Sequence, residues 1–467
     1  MLQWFYYLKI YGAAMLNDYI IIDSKLNKPM YQQIYMSIRG AIENGNLKKG
    51  TKLPSIRKLS ADRGISKTTV TGAYDQLCVE GYIVSYPQRG YFVAADFDKL
   101  PKTIEIVDSD SRRARYFDYD FSGKSIDDSI IDLVQWKKNI KDIVNRNYLL
   151  TSYGDVQGEE ALRSALQRYA LGIRSVNAKE GNIVIGAGTQ AILYLLCSLI
   201  GFGKKVAMEQ AGFVQAEMVF RSFNYDINYF ESDAYGATIS SLKELSPDVI
   251  LINPNFSGTR GGNMPVTRRL DIIEWARENN ALILEDDYNG ELRYSTRPIP
   301  CVQHYDVENT VYIGSFSKVL LPSVRISYMV LPEKLLEKYN SVKRFMNQTA
   351  SKTEQLALAK YISNGKIDAH LRRARRVYLE KSKALIAAVE KYLPEVRYIF
   401  NETSLYLTLN LPYKINKPKI EEALAQRSVR LMTYNREENA LALSFSGIAQ
   451  EKLCEGVKII SDVLKTK

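Results

Sequence analysis

Apolar positions in residues 29–93 recur at helical spacing three times and then alternate. PMYQQIYMSIRGAIENG sets Ile34, Ile38, Ala41 and Ile42 on one stripe and ends in Gly45. LPSIRKLSADRG predicts a shorter helix, with Ser55 as its N-cap and Gly64 as its stop. The serine oxygen can take up a free N–H group, and glycine accepts the left-handed turn. ISKTTVTGAYDQLCVEG predicts a third helix that starts at Ser66, repeats Val70, Ala73, Tyr74 and Leu77, and ends at Gly81. YIVSYPQRGYFVA gives two strand-like runs about a glycine-containing turn, a small hairpin. Three helices and a hairpin predict a winged helix-turn-helix across residues 15–94.

The pattern loosens over residues 95–118, which read as a linker of mixed charge. Across 119–467 it changes again. Short buried-type runs (NIVIGAG, KVAMEQ, VILINP, ALILEDD, TVYIGSF) alternate with amphipathic stretches. That alternation predicts an α/β domain with a mostly parallel sheet. From about residue 345, helices with the strands SLYLTLNL and NALALSFS predict a smaller α+β lobe. No internal repeat or low-complexity tract interrupts the chain.

A 46% hydrophobic share over 467 residues allows one large core and a smaller one, so two or three domains are expected. The net charge of +11 favours a polyanion partner. The excess is also local: from Lys48 to Lys67, seven basic residues stand against one acid, Asp62. The start of the third helix presents Ser66, Lys67, Thr68, Thr69 and Thr71, groups able to reach phosphates and base edges in a major groove. Arg57 lies on the second helix, near the DNA backbone, and Gln88 and Arg89 lie at the tip of the wing. By charge alone, a solvated basic face explains the region equally well.

Cys78, Cys197, Cys301 and Cys454 form no C-x-x-C pair, and His304 and His370 are the two histidines. This argues against a zinc site, a disulfide framework and a Ser-His-Asp triad, and for reduced thiols in a cytoplasmic protein. The apolar start MLQWFYYLKIYGAA is too short to span a bilayer and lacks the basic lead of a signal peptide. Residues 1–14, ahead of Met15, read as an extension with no share in the function, and no membrane association is expected.

Open α/β sheets bind ligands at the carboxyl ends of their strands, and unusual polar groups fall there. IVIGAGTQAILYLLCSLI places the N–H groups of Thr189 and Gln190 at a helix N-terminus, which suits a phosphate. ALILEDDYNGELRY ends a strand in Glu285, Asp286 and Asp287, followed by Tyr288. A carboxylate there can bind a metal, pair with a cation or cap the next element. GSFSKVLLPSVR adds the hydroxyls of Ser315 and Ser317, the amine of Lys318 and the guanidinium of Arg325. An anion cradle, a buried carboxylate beside a phenol and a lysine near an arginine make up the set that pyridoxal phosphate needs.

LPSIRKLSADRGISKTTVTGAYDQLCVEGYIV with RGYFV resembles the DNA-binding domain of GntR-type regulators. Residues 119–467, through YGDVQGEEALRSALQRYALGIRSV, EDDY and SFSK-x6-R, are similar to fold-type-I aminotransferases. The whole chain therefore resembles the MocR/GabR-type regulators, which fuse the two. The resemblance implies double-stranded DNA as a partner, pyridoxal 5'-phosphate as cofactor and a homodimer. It implies that Lys318 carries the aldimine, that Asp286 faces the pyridine nitrogen and that Tyr288 faces the 3'-oxygen. Thr189, Gln190, Ser315 and Arg325 would surround the phosphate, Phe213 would stack on the ring, and Tyr153 would reach the cofactor of a neighbouring subunit.

Three positions depart from the family. Gly258 stands where an asparagine usually meets the 3'-oxygen, with Asn255 as a substitute nearby. Ala442 stands where aminotransferases place a carboxylate-clamping arginine, and Arg427, Arg430 and Arg436 are the arginines near enough to replace it. Gln215 stands where GABA-responsive relatives carry an arginine. These losses favour a regulator that senses an amine, an amino acid or the cofactor itself, over an active aminotransferase carrying a DNA-binding domain.

Overall fold

The computed structural model describes residues 19, 20, 22, 28–96, 116–210, 213–255, 263–294, 299–432 and 439–466. Residues 1–14, most of the linker, Gly258 and Arg436 lie outside these. The chain forms two compact units, one ending at Arg113 and one starting at Ala114. Among the described residues no helix is long and apolar enough to cross a membrane.

The first unit holds α1 (Met30–Glu43), α2 (Ile56–Arg63), α3 (Lys67–Val79), β1 (Ile83–Tyr86) and β2 (Gly90–Val93). Both predicted caps form: Ser55 Oγ accepts from the Lys58 N–H at 3.2 Å, and Ser66 Oγ from the Thr69 N–H at 3.0 Å. Gly64 ends α2 at φ 62°, in the left-handed region. Ile34, Ile38, Leu59, Val70, Tyr74 and Leu77 close the core, and β1 and β2 pair as an antiparallel wing.

The second unit opens with β3 (Tyr119–Asp120) and α4 (Glu160–Arg174). A central layer follows: β4 (Ile183–Gly186), α5 (Thr189–Ile200), β5 (Lys205–Met208), α6 (Val214–Ser222), β6 (Asp226–Tyr229), β7 (Val249–Ile252), β8 (Leu282–Asp287), β9 (Thr310–Ser315) and β10 (Ser327–Val330). These strands make one seven-stranded sheet in the order β4-β10-β9-β8-β7-β5-β6. It is parallel except for β10, which runs antiparallel to both β4 and β9. Strands β4, β7, β9 and β10 are buried along their whole length, as helix-covered sheets require.

A C-terminal lobe is built on the long helix α7 (Lys366–Tyr392). It adds the antiparallel strands β11 (Arg397–Ile399), β12 (Tyr406–Asn410) and β14 (Ala440–Ser444), with β13 (Val429–Arg430) and α8 (Gln450–Lys465). Strand β3 pairs with β13, so the first strand of this unit belongs to its last lobe.

Candidate functional site

In the first unit, Tyr74 of α3 donates its hydroxyl to the Pro54 carbonyl at 2.9 Å, which fixes the helix against the segment leading into α2. Lys67 and Thr68 are exposed at the start of α3. The other predicted contacts are engaged. Ser66 Oγ and Thr69 Oγ1 lie 2.7 Å apart within the cap, and Thr71 Oγ1 donates to the Lys67 carbonyl at 2.9 Å. The Thr71 proton is thereby used inside the helix, while the side chains of Lys67 and Thr68 stay at the surface. Met30 and Tyr31 of α1 face Thr68 and Gly72 across a groove of about 640 Å³, a feature the sequence did not signal. Arg57 is exposed on α2. On the wing, the Arg89 guanidinium lies 5.8 Å from the Tyr86 ring and 5.9 Å from the Phe92 ring, which holds the cation at the surface.

In the second unit, polar groups converge at one end of the central sheet. Register places Asp286 beside Ile313, and Ser315 opposite Ser327. Alternate residues share a face, so Asp286, Ser315 and Ser327 project to the face that carries Leu284 and Ile313 and is covered by α5. Ser327 Oγ donates to Ser315 Oγ at 2.9 Å and lies 3.4 Å from Thr189 Oγ1, at the start of α5. Gly188, at φ 90°, precedes α5, and a Cβ there would sit 2.5 Å from Arg325 Nη2. Glycine thus lets the guanidinium lie across the helix N-terminus. Arg325 Nη1 donates to Ser317 Oγ at 3.4 Å. The N–H of Ala187 donates to Thr349 Oγ1 at 3.0 Å, bringing in a hydroxyl more than 150 residues away in sequence.

The three acids at the end of β8 take different roles. Glu285 accepts from the N–H groups of Val302 and Gln303 at 2.8 and 3.0 Å and caps the helix there. Asp287 pairs with Arg174 at 2.6 Å, both side chains fully buried, and accepts from Asn255 Nδ2 at 2.7 Å and the Tyr312 hydroxyl at 2.9 Å. Asn255 is therefore committed to Asp287. Asp286 lies on the opposite face, and its buried Oδ1 has no hydrogen-bond partner. Burial, with the Asp287 charge added, pushes the Asp286 carboxyl up to about 7. Burial also raises the Tyr288 phenol, with Asp286 and Glu209 adding to the effect. No group of histidine, cysteine or acidic side chains among the described residues is arranged to hold a metal.

Lys318 lies in a short helix, Phe316–Val319, that directly follows β9. Its Nζ donates to the carbonyl of Gly123 at 2.6 Å, and burial lowers its pKa. Phe213 is half-buried at the start of α6 and packs on the core beside it. Gln190 is exposed, and Tyr153 is fully exposed. In the C-terminal lobe, Tyr406 pairs with Ser444 and Thr408 with Ala442, so these four side chains share one face of the sheet. A Cβ on Gly123 would lie 3.1 Å from Ser444 Oγ, which places that face against the Lys318 region. Ala442 contributes a methyl there. Arg430 is held elsewhere, by an ion pair with Asp120 and by the Phe117 ring at 5.0 Å.

Residues 30–93 match the family of bacterial regulatory proteins, gntR family. Over 451 residues the chain is 33% identical to the uncharacterized HTH-type transcriptional regulator YdeL of Bacillus subtilis, covering 94% of this chain and 97% of that one. It is 27% identical over 468 residues to the probable rhizopine catabolism regulatory protein MocR of Rhizobium meliloti, covering 94% of each. The fold is similar to that of a Pyrococcus horikoshii kynurenine aminotransferase, with a TM-score of 0.68 at 22% identity over 76% of this chain and 92% of that one.

Proposed function

The chain belongs to the MocR-type GntR regulators, DNA-binding transcription regulators with an aminotransferase-like domain, and from that premise we propose that it holds pyridoxal phosphate at Lys318 and senses a small amine or amino acid there. The observation that carries this reading is the unpartnered, buried Oδ1 of Asp286, on the sheet face shared with Ser315 and Ser327. A lone carboxylate oxygen in such surroundings is costly unless a cationic donor meets it. A protonated pyridine nitrogen is such a donor.

The other residues fit the same group. Thr189 and Gln190 would offer N–H groups to the phosphate, Ser315 a hydroxyl and Arg325 its guanidinium. Phe213 would cover the ring, and Tyr288 would meet its oxygen. Lys318 would supply the amine that attaches it, and burial favours the neutral, nucleophilic form of that amine. When bound, pyridoxal phosphate supplies an aldehyde that condenses with primary amines and a ring that withdraws electrons. The exposed Tyr153 supports a homodimer in which it reaches the neighbour's site. The four free cysteines support a reducing compartment, the cytoplasm. On the DNA, Lys67 and Thr68 would read the major groove, Arg57 would hold the backbone and Arg89 the wing contact.

Sensing is favoured over turnover because Ala442 and Gln215 offer no cation to clamp a carboxylate and Arg430 is paired with Asp120. The test is to titrate the full-length protein and Lys318→Ala with pyridoxal phosphate, record the visible absorption band, and screen amines and amino acids. A band in the wild type alone, shifted by an amine without multiple turnovers, is the expected result. No band in the wild type overturns the cofactor assignment, and sustained keto-acid production establishes an aminotransferase instead.

A further inference from the structure

The residues ahead of the central sheet form a strip, 119–131, that is built into the C-terminal lobe. The Phe121 N–H donates to the Arg430 carbonyl at 2.8 Å, and the Ser444 N–H donates to the Phe121 carbonyl at 2.9 Å. The Phe121 ring packs so closely on α8 that a Cβ on Gly456 would come within 2.7 Å of it. Ser446 Oγ donates to the Ser125 carbonyl at 2.7 Å. Buried Lys381 of α7 pairs with Asp127 at 2.5 Å.

Two contacts join this strip to the short helix that carries Lys318. One is the Lys318 amine on the Gly123 carbonyl at 2.6 Å. The other runs through His370 of α7, whose Nδ1 lies 3.0 Å from the Ile130 carbonyl and whose Nε2 lies 2.6 Å from the Val319 carbonyl. Gly123 adopts φ 69°, and a Cβ there would meet Ser444 Oγ at 3.1 Å. A glycine is what brings that carbonyl onto the amine.

We infer that the free amine of Lys318 ties the C-terminal lobe to the central sheet through Gly123, and that covalent capture of the amine by an aldehyde releases this tie while His370 holds the far end of the strip. The inference rests on the cofactor reading given above. In the capture, nitrogen forms a double bond to the aldehyde carbon, and the aldehyde oxygen leaves with both hydrogens of the neutral amine as water. The nitrogen then has neither the hydrogens nor the freedom to serve Gly123. The strip continues directly into residues 95–118, which lead to the DNA-contact unit. Loading of the site, ahead of any amine effector, is thus the event that unlocks the lobe from which the linker departs.

Amide hydrogen exchange on the full-length protein reads the loosening of the strip when the tie is lost. Peptides covering residues 121–125 are expected to exchange up to about tenfold faster in Lys318→Ala than in the wild type without pyridoxal phosphate, the factor a neutral buried hydrogen bond carries at its upper end. The wild type should reach the same rate when loaded with pyridoxal phosphate, and inorganic phosphate alone should leave it slow. Peptides over 127–131 should stay protected throughout. Gly123→Ala, which keeps the lysine, should speed exchange at 121–125 and retain the visible band. Equal exchange in Lys318→Ala and the wild type overturns the tie, and so does unchanged exchange in a wild type that shows the band. A missing band fails the cofactor reading separately, because the comparison of the two unloaded proteins still stands.

Discussion

Replacing Asp286 with asparagine should make the empty protein more stable, and increasingly so as pH rises. Burial and Asp287 raise this carboxyl from 3.8 to about 7. A raised carboxyl binds its proton more tightly in the folded state than in the unfolded chain. Stability therefore falls as pH climbs from the unfolded value to the folded one, then levels off. Asparagine keeps the shape and removes the titration. At 1.36 kcal/mol per unit, the stability difference in favour of Asp286→Asn should grow by about 3 kcal/mol between about pH 5 and pH 8. Urea unfolding of both proteins across that range, without cofactor, measures it. Other titrating groups act on both proteins and cancel in the difference. Saturating pyridoxal phosphate should invert the order at pH 8, because in the proposed site its ring nitrogen would pair with the ionised wild-type carboxylate and would gain nothing comparable from the amide. A difference that stays flat with pH would refute the claim that Asp286 is an unpaired buried acid.

Gly188→Ala should weaken pyridoxal phosphate binding by an order of magnitude or more in an absorption titration, since its methyl occupies the place of Arg325 Nη2 and would remove the charge-assisted phosphate contact proposed for that guanidinium. Arg174→Met should lower unfolding stability by about 4 kcal/mol, as it leaves the buried Asp287 charge without its partner. Lys67→Ala and Arg57→Ala should each weaken DNA binding and lower the slope of log affinity against log salt by about one, read by fluorescence anisotropy across a salt series. Thr71→Val should change that binding less than Thr68→Val, because the Thr71 proton is already used within the helix.

Local signals carried the first unit. Ser55, Ser66 and Gly64 act within a few residues of themselves, so their caps and stop were readable in sequence. The central strands were readable because both of their faces are buried. Strand β10 escaped notice because its four residues follow Arg325 without a break in the apolar run, and its reversed direction comes only from pairing with β4. The partly exposed β6 carried too little pattern. At the site, resemblance pointed to Asp286 among three neighbouring acids. The physical reason lies in sheet register, which sends Glu285 and Asp287 to structural partners and leaves Asp286 without one. Gly123, Ser327 and Thr349 were illegible because each acts on groups brought near by folding.

The pairing of β3 with β13 also sets a schedule for synthesis. Asp120 meets Arg430 across 310 residues, so the second unit cannot close until its last segment has left the ribosome. The first unit faces no such wait, with its Tyr35–Glu80 bond spanning 45 residues. A chain stopped short of residue 428 would carry a finished DNA-binding unit without a closed aminotransferase-like unit. Late nonsense alleles would then act as competitors for the operator rather than as simple losses of the protein.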